Sequence, residues 1–275
     1  PPRSTLFPYT SLFRSSTDYM IREYQAGRTP NPDVMCNQEV KFKVFLEACL
    51  KEGADYIATG HYARTDGGHL LRARDDNKDQ TYFLYRVTSE ALAKTIFPLG
   101  DFTKAEVREM AKDRGLWTAS KKESMGICFV GQVGIREFLS EYVETSPGDI
   151  IDKQTGLAVG KHDGAIFYTI GQRHGLNIGG GLPYYVVGKD MAKNEVYVSR
   201  SIDDNQLWRR TVQLTDIHWI NQPLADGDNI QVRLRHRGAL IDAIYNETGL
   251  LNLKSAERAV STRSEERRVG KECRS

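Results

Sequence analysis

Two cysteines stand in sequence surroundings where a thiol could react. Cys36 closes the stretch TPNPDVMC, whose two prolines disfavour helix, so we expect the thiol just before a helix capped by Asn37. Backbone dipoles at a helix start favour the thiolate. Cys128 closes the stretch KKESMGIC, close to two lysines that would have the same effect. Either cysteine could instead be a small buried hydrophobe, and Cys49, on the apolar face of the helix after Asn37, is predicted to be one.

The placing of these thiols excludes two other kinds of cysteine site. They are far apart in the chain, so they form no CxxC redox motif, and no neighbouring pairs of Cys or His complete a zinc signature. Asp33, three residues before Cys36, could act as a general acid or base if it comes within reach of a reacting proton. It could equally be a turn aspartate after Pro32 that binds the backbone.

A possible ligand position follows the apolar run 56–59, which is typical of a short buried strand. Gly60 and His61 would lie at the carboxyl end of that strand, where ligands of parallel α/β sheets bind. A single glycine is more often only a turn residue, and we expect His61 to be structural rather than catalytic.

Two basic segments could contact a polyanion. The first is Lys78-Asp79-Gln80, after a charged run, and a solvated loop is its alternative. In the second, three arginines alternate with apolar residues, which predicts a strand with one arginine face: Arg233, Arg235 and Arg237. Such a face suits a phosphate backbone, although a solvated strand face has the same pattern. The chain has 38 Lys and Arg against 36 Asp and Glu, so bulk charge attracts no polyanion and local stripes would have to.

Two regions of the chain with different sequence patterns must position these residues. Residues 20–130 alternate helical and strand signals, including a capping box from Thr103 to Glu106 and a helix stop at Gly115. From about Pro147, turn signals separate short β-branched and aromatic runs, at 165–170, 184–187 and 195–199. We therefore expect an α/β domain with a parallel sheet, then β structure that ends in too few strands for a closed barrel.

Composition and sequence patterns indicate neither a membrane helix, a secretory signal nor a disulfide-framed scaffold, and the two end segments differ from the rest of the chain. Apolar residues make up 40% of the 275, no run approaches the roughly 18 apolar residues of a membrane helix, and no secretory signal pattern appears. Four cysteines are too few for a disulfide-framed scaffold. Residues 1–16 and 262–275 resemble translated adaptor or vector sequence, with natural disordered tails as the alternative.

Six stretches, in order, resemble one family, the tRNA-specific 2-thiouridylases (tRNA-uridine 2-sulfurtransferases). Each is weak alone, and their shared order over residues 17–261 makes the resemblance specific. The stretches are GRTPNPDVMCN (27–37), ATGHYAR (58–64), DNKDQTYFL (76–84), KKESMGICF (121–129), YTIGQRHGL (168–176) and YYVVGKD (184–190).

The resemblance implies a fold and a division of the chain. The fold is α/β plus β, with an incomplete ATP-pyrophosphatase-type (adenine nucleotide alpha hydrolase-like) domain, a small β-rich central domain and a partial β-barrel. The divisions are 1–16 artefactual or disordered, 17–133 catalytic, 134–205 central, 206–261 barrel and 262–275 artefactual or disordered. The family lacks a membrane segment and works in the cytoplasm.

The resemblance also implies an activity. The family uses ATP, with Mg²⁺, to adenylate the C2 oxygen of the wobble uridine, position 34 of tRNA, and sulfur then replaces that oxygen. A sulfur-relay donor protein supplies the sulfur as a persulfide. By motif, Cys128 would receive that persulfide, Cys36 would be its partner nucleophile, and the two would close a disulfide as sulfur leaves. Asp33 would be the acid/base.

The remaining implied contacts concern tRNA and ATP. Asn31, Pro32 and Asp33 would border the target base, which must be everted before chemistry. Gly60 would lie against ATP. The residues implied in tRNA contact are Lys78, Asp79, Gln80, Arg235 and His236, although the family more usually has Tyr at the position of His236.

One departure from the family pattern bears on activity. The family begins with an SGGxDS phosphate loop, whereas the stretch SSTD at residues 15–18 lacks the glycines that let amides wrap a pyrophosphate. We therefore expect a truncated chain that cannot adenylate RNA alone. Two alternatives remain open: an RNA-binding module without chemistry, and a thiol redox protein. Sulfur transfer predicts that Cys36 and Cys128 approach across one cleft, with Cα atoms about 4.4–6.8 Å apart when bonded. An RNA-binding module allows the two cysteines to be remote and buried, and a redox protein would cycle without RNA or nucleotide.

Overall fold

The computed structural model describes residues 9–121, 135–179, 183–201, 207–258, 260 and 268–270. Its α-helices, in chain order, are α1 (Tyr9–Gln25), α2 (Pro32–Met35), α3 (Leu46–Lys51), α4 (Ser89–Ala93), α5 (Lys104–Asp113) and α6 (Ile135–Ser140). A π-helical stretch, Cys36–Phe45, joins α2 to α3, and 3₁₀ turns lie at Thr81–Phe83, Trp117–Ser120 and Ala165–Phe167.

The strands follow the same chain order. They are β1 (Ile57–Ala58), β2 (Arg64–Asp66), β3 (His69–Leu71), β4 (Thr95–Ile96), β5 (Gly148–Asp152), β6 (Ala158–His162), β7 (Tyr185–Asp190), β8 (Glu195–Ser199), β9 (Trp208–Gln213), β10 (Asn229–Arg233), β11 (Ile241–Tyr245), β12 (Leu250–Arg258) and β13 (Arg268–Gly270). The chain divides into two compact units. One unit contains residues 1–31, 130–213 and 250–265, and the other contains 32–129, 214–249 and 266–275.

The second unit contains the α/β part of the chain. Strand β1 pairs with β4 in parallel, with Ile57 opposite Thr95, and the connection between them contains the β2–β3 hairpin and α4. Parallel strands require such a crossover. The apolar side chains beneath them form one core, made of Phe42, Leu46, Ile57, Ala63, Leu70, Leu84, Val87, Ala91, Leu92 and Phe97. Three strands of the C-terminal part, β13, β10 and β11, are antiparallel neighbours in the same unit.

The first unit is β-rich. Its four-stranded sheet has the order β6-β5-β8-β7, in which only β5 and β8 are parallel. The core of that sheet is built from Ile150, Ala165, Tyr168, Leu176, Tyr184, Val186, Val196 and Val198. Strands β9 and β12 pair in antiparallel fashion, with a register irregularity between Asn252 and Glu257. Among the described strands no ladder closes into a barrel, so the predicted order of α/β and then β structure is confirmed together with its open end.

Local helix signals were predicted with mixed success. The capping box of α5 is confirmed, since the Thr103 hydroxyl accepts from the amide of Glu106 and the Glu106 carboxylate accepts from the amide of Thr103. Gly115 ends that helix with a φ of 65°. The helix expected to begin at Asn37 begins at Pro32 instead, because proline is accepted in the first turn, where its missing N–H costs no hydrogen bond.

Three other expectations differ from the structure. The run 165–170, predicted as a strand, contains a 3₁₀ turn that follows Gly164, whose φ is 150°. Helix α1 begins at Tyr9, inside the segment 1–16 that was expected to lie outside the fold. In the segment 262–275, residues Arg268–Gly270 pair with β10. Strand pairing and helix extension add hydrogen bonds that composition alone does not indicate.

The core of the second unit generates a stability prediction. Leu84 is fully buried there, whereas Leu116 is half exposed. We expect Leu84→Ala to lower the free energy of unfolding by about 2–5 kcal/mol, because it removes buried methyl groups and leaves a cavity. The matched surface change Leu116→Ala should alter it by no more than about 0.5 kcal/mol. Urea unfolding followed by circular dichroism measures both, and equal losses would contradict the assignment of this core.

Candidate functional site

Asp33 and Cys36 lie on one continuous helical run. Asp33 is in the first turn of α2, where the helix dipole stabilises a carboxylate, and Cys36 follows three residues later. Residues three apart on a helix are neighbours on its surface. Cys36 is buried, whereas Asp33 is half-buried. The thiol therefore lies inside the helix and not before its first turn, so the expected dipole effect of a helix start falls on Asp33 and not on Cys36.

Asn37 attaches this helical run to a distant segment by a contact that the sequence did not indicate. Its side chain is 1% exposed, and its amide nitrogen donates to the carbonyl oxygen of Phe83 at 2.9 Å. Its amide oxygen accepts from Lys41 Nζ at 3.0 Å. One residue further along, Gln38 Oε1 accepts from Arg86 Nε at 2.7 Å. The residue after Cys36 is thus a tether to the segment 83–86 and not a helix cap.

The segment leading to this helix is held separately within the first unit. Gly27, two residues after the end of helix α1, adopts a φ of 74°, and a β-carbon there would lie 2.9 Å from Met191 Cγ. Arg28 donates two 2.6 Å hydrogen bonds to the carboxylate of Glu23. The hydroxyls of Thr29 and Thr169 are 3.0 Å apart. These contacts restrain the chain just before Asn31 and Pro32, the residues implied to border the target base.

Gly60 lies where the sequence placed it, two residues beyond the end of parallel strand β1. It is exposed, and a β-carbon built on it would meet no atom within 4 Å. Ligands of α/β proteins bind at such strand ends, and the contact of Gly60 with a nucleotide stays a prediction. Among the described residues no three His, Cys, Asp or Glu side chains group as a metal site.

His61 beside it has a structural environment. Its ring centroid lies 5.6 Å from that of Phe42 and 6.3 Å from that of Phe97, and Nδ1 is 2.9 Å from the Thr59 hydroxyl. Burial, with a smaller contribution from the charge of Lys41, lowers the pKa of His61 to about 4. The imidazole is therefore neutral at neutral pH.

Asp79 is the carboxylate of the proposed tRNA segment Lys78–Gln80, and both of its oxygens accept hydrogen bonds from protein groups. Its side chain is fully buried. Oδ1 accepts from the hydroxyl of Thr81 at 2.7 Å, from the amide of Thr81 at 3.2 Å and from the amide of Ala73 at 3.4 Å. Oδ2 accepts from an Arg233 guanidinium nitrogen at 2.9 Å and lies 3.7 Å from Arg72 Nε. The carboxylate therefore faces protein groups and not solvent.

The neighbours of Asp79 are more accessible. Lys78 and Gln80 are half-buried. The Gln80 side-chain oxygen accepts from the amide of Tyr62 at 2.9 Å, and the Gln80 amide donates to the Tyr62 carbonyl at 2.8 Å. Lys78 donates its amide to the Asp75 carboxylate at 3.2 Å. The backbone of this loop is fixed, with Lys78 as its cationic side chain.

The expected arginine face on β10 is wrong at its first residue. Arg233 is buried, with 7% of its side chain exposed, because its guanidinium pairs with Asp79 inside the unit. Strand β10 ends there, and the turn that follows places Arg235 half-buried and Arg237 exposed, the latter with a φ of 59°. A change from strand to turn breaks the alternation on which the prediction rested.

His236 lies in this turn against aromatic rings. Its ring centroid is 4.5 Å from that of Phe83 and 5.9 Å from that of Tyr82. Burial lowers the pKa of His236, and the charges of Arg237 and Arg233 lower it further. At neutral pH this side chain is a neutral ring. The positive charge of the turn comes from its arginines.

Two of the expectations concern Cys128 and membrane-spanning helices. Cys128 lies outside the described residues, so the distance between it and Cys36 stays a prediction. No described helix is long and apolar enough to cross a bilayer.

Comparison with known proteins gives the family. Residues 5–132 match a family model described as tRNA methyl transferase HUP domain, and residues 136–200 match one described as tRNA methyl transferase PRC-barrel domain. The tRNA-specific 2-thiouridylase MnmA of Bacillus subtilis is 50% identical over 224 residues, which are 80% of this chain and 60% of that protein. The chain belongs to the tRNA-specific 2-thiouridylase family. The predicted ATP-pyrophosphatase-type domain followed by a β-rich domain is thereby confirmed.

Two further relatives show how much of a thiouridylase this chain spans. The thiouridylase MnmA of Bacillus licheniformis is 49% identical over 239 residues, covering 84% of this chain and 64% of that protein. That of Bacillus cytotoxicus is 53% identical over 208 residues, covering 74% of this chain and 56% of that protein. The chain thus spans about 60% of the length of the curated thiouridylases that it matches.

Sequence reasoning missed the residues that tie the thiouridylase motifs together. Asn37 and Phe83 were visible only as members of motifs, and Arg233 was interpreted as a surface charge. The one available signal for Arg233 was the opposite charge at Asp79, far away in the chain. A single sequence does not show that the two residues pair.

The environment of His61 generates a pH prediction. Because its folded pKa of about 4 is below the ordinary 6.5, the unfolded chain binds more protons between these values. Its contribution to stability is therefore complete above about pH 6.5 and is lost as the pH falls towards 4, by up to about 3 kcal/mol. We expect His61→Asn to flatten the free energy of unfolding against pH in this window, measured by urea titration. The surface variant His174→Asn should leave the wild-type slope, and an unchanged slope in His61→Asn would refute the assignment.

Proposed function

We propose that this chain belongs to an enzyme that thiolates C2 of uridine 34 in tRNA, using ATP and a cysteine persulfide. The observation that carries the proposal is the placement of Asp33 and Cys36 three residues apart on one helical run, within the stretch 27–37 that resembles the thiouridylases. The family models that match this chain carry descriptions that name a different reaction, methyl transfer to tRNA. Sulfur transfer is favoured here because the relatives are thiouridylases and the chain carries a carboxylate and a thiol three residues apart on one helical run. A thiol can accept sulfane sulfur.

The proposed chemistry assigns each group a step. With the base of uridine 34 everted between Asn31, Pro32 and Asp33, its C2 oxygen attacks ATP, and pyrophosphate leaves. Gly60, at the open end of β1, would lie against the nucleotide, with Mg²⁺ on its phosphates. The adenylated oxygen is then a good leaving group, departing as AMP when a sulfur nucleophile adds to C2.

Sulfur transfer would use the two cysteines in turn. The terminal sulfur of a Cys128 persulfide adds to C2, so that the base becomes linked to Cys128 through a disulfide bond. The Cys36 thiol loses its proton to Asp33, and its thiolate attacks the Sγ of Cys128. The base leaves as 2-thiouridine, and the two cysteines are left as a disulfide. An external thiol reductant would restore them, and a sulfur-relay donor protein would reload Cys128.

Recognition of tRNA would rest on two cationic segments. Lys78 and Gln80 lie on one loop, and Arg235 and His236 lie on one turn of the same compact unit. Lys and Arg on such a surface would neutralise backbone phosphates, whereas Asp79 would act from inside because its side chain is buried. We place this activity in the cytoplasm.

Substitution of the cysteines tests the proposed chemistry. In a protein extended to the length of its relatives, we expect Cys36→Ser and Cys128→Ser each to abolish 2-thiouridine formation while leaving tRNA affinity within about twofold, since both act on sulfur and not on RNA phosphates. Cys49→Ser, on the core side of α3, is the matched control and should retain activity. Mass spectrometry of digested tRNA measures the product. Thiolation by Cys128→Ser would exclude the assignment, and equal tRNA binding without any thiolation by the wild type would favour an RNA-binding module.

The phosphate loop gives a second prediction. The printed sequence contains no SGGxDS segment, so we expect the chain of 275 residues to release no pyrophosphate from ATP when tRNA is added. A coupled pyrophosphate assay measures this, with the extended protein as the positive control. Pyrophosphate release by the chain alone that depends on tRNA would show this prediction to be wrong.

A further inference from the structure

We infer that Arg233 is a positioning residue for tRNA binding: through the buried carboxylate of Asp79 it fixes the Lys78–Gln80 loop and the Arg235–His236 turn as one surface. The inference rests on the proposed function for its tRNA part. Its structural part stands on contacts within one compact unit.

Asp79 cannot reach RNA without leaving its present position. None of its side chain is exposed, and both carboxylate oxygens already accept hydrogen bonds. Two of its donors, the amides of Ala73 and Thr81, lie on either side of Lys78 in the chain. The carboxylate therefore closes the loop 73–81 on itself, and the position of Lys78 depends on that closure.

Arg233 brings the turn to this loop. Arg233 is the last residue of β10 and precedes Arg235, which begins the turn, by two residues. Its guanidinium contacts the carboxylate of Asp79. The turn closes with the amide of Gly238 donating to the Arg235 carbonyl at 3.0 Å. A second contact joins the rings of His236, in the same turn, and Phe83, with centroids 4.5 Å apart. Two attachments fix both the place and the direction of the turn.

The charge balance around Asp79 favours a positioning role. Two guanidinium groups, those of Arg233 and Arg72, approach a single buried carboxylate. Buried ion pairs are weak contributors to net stability but define geometry, because their hydrogen bonds are directional and a displaced charge lacks its partner. Arg72 also pairs with the Asp76 carboxylate, so the two guanidinium groups are balanced by two carboxylates and Arg233 is matched to Asp79.

The test has one readout without RNA and one with it. Arg233→Gln removes the charge, and Arg233→Lys keeps the charge but loses the planar fork. Arg136→Gln is the matched control, since Arg136 pairs with Asp163 at 2.7 Å on the surface of the other unit. Amide hydrogen exchange at Ala73 and Thr81 reports closure of the loop. The affinity for a transcribed tRNA with uridine at position 34, measured against salt, reports the phosphate contacts.

We expect Arg233→Gln to lower protection of both amides at least about tenfold, because they lose an ordered acceptor. The slope of log affinity against log salt should fall by about one to two, since Lys78 and Arg235 no longer reach their phosphates. Lys78→Ala should lower the slope by about one in the wild type and add nothing in Arg233→Gln. Arg233→Lys should recover part of both readouts, and the control should change neither.

Each contrary outcome is decisive. Wild-type protection in Arg233→Gln would overturn the positioning of the loop. Lost protection with an unchanged salt slope would overturn the link to tRNA. If Arg233→Gln does not fold, the same two comparisons are made with Arg233→Lys, which must then show reduced protection. Absence of salt-dependent tRNA binding by the wild type would overturn the proposed tRNA contact, while hydrogen exchange decides the loop separately.

Discussion

The second compact unit is organised around one buried carboxylate. Asp79 accepts hydrogen bonds from its own loop through one oxygen and from Arg233 through the other. Because an ionised carboxylate without partners is costly to bury, each of these donors is restrained in place. The 3₁₀ turn Thr81–Phe83 begins at Thr81, which is one of these donors. The turn that contains Arg235 and His236 follows directly after Arg233, which is another. A single charge thus relates segments that are more than a hundred residues apart in the chain.

The proposed reactive helix depends on the same region. Asn37, the residue after Cys36, is bound to the carbonyl of Phe83, and the ring of Phe83 contacts His236. The segment 79–83 therefore lies between the helix that bears Asp33 and Cys36 and the turn that bears Arg235. Positioning a nucleophile against a bound substrate is worth about 7–11 kcal/mol in favourable cases, so a rigid support of this kind matters more than the acidity of the thiol.

Local patterns in the sequence predicted local structure well. The capping box of α5, strand β8, the stop at Gly115 and the parallel strand before Gly60 all follow from signals within a few residues. The resemblance of six ordered stretches indicated the family. Pairing between distant residues was not predictable in this way. Arg233 has the sequence pattern of a surface residue and is buried only because Asp79 is there. The side chain of Asn37 binds the carbonyl of Phe83 and does not cap a helix, which is a pairing between distant residues of the same kind.

The coupling between Asp79 and Arg233 is the interaction on which the arrangement of this unit depends most directly. A double-mutant cycle with Asp79→Asn, Arg233→Gln and the pair, followed by urea unfolding, measures it. Each single change should lower the free energy of unfolding by about 3–5 kcal/mol, because it leaves the other group buried without its partner, and the double variant should lose little more than either one. A double variant whose loss equals the sum of the single losses within about 0.5 kcal/mol would contradict the account, since the two residues would then act independently.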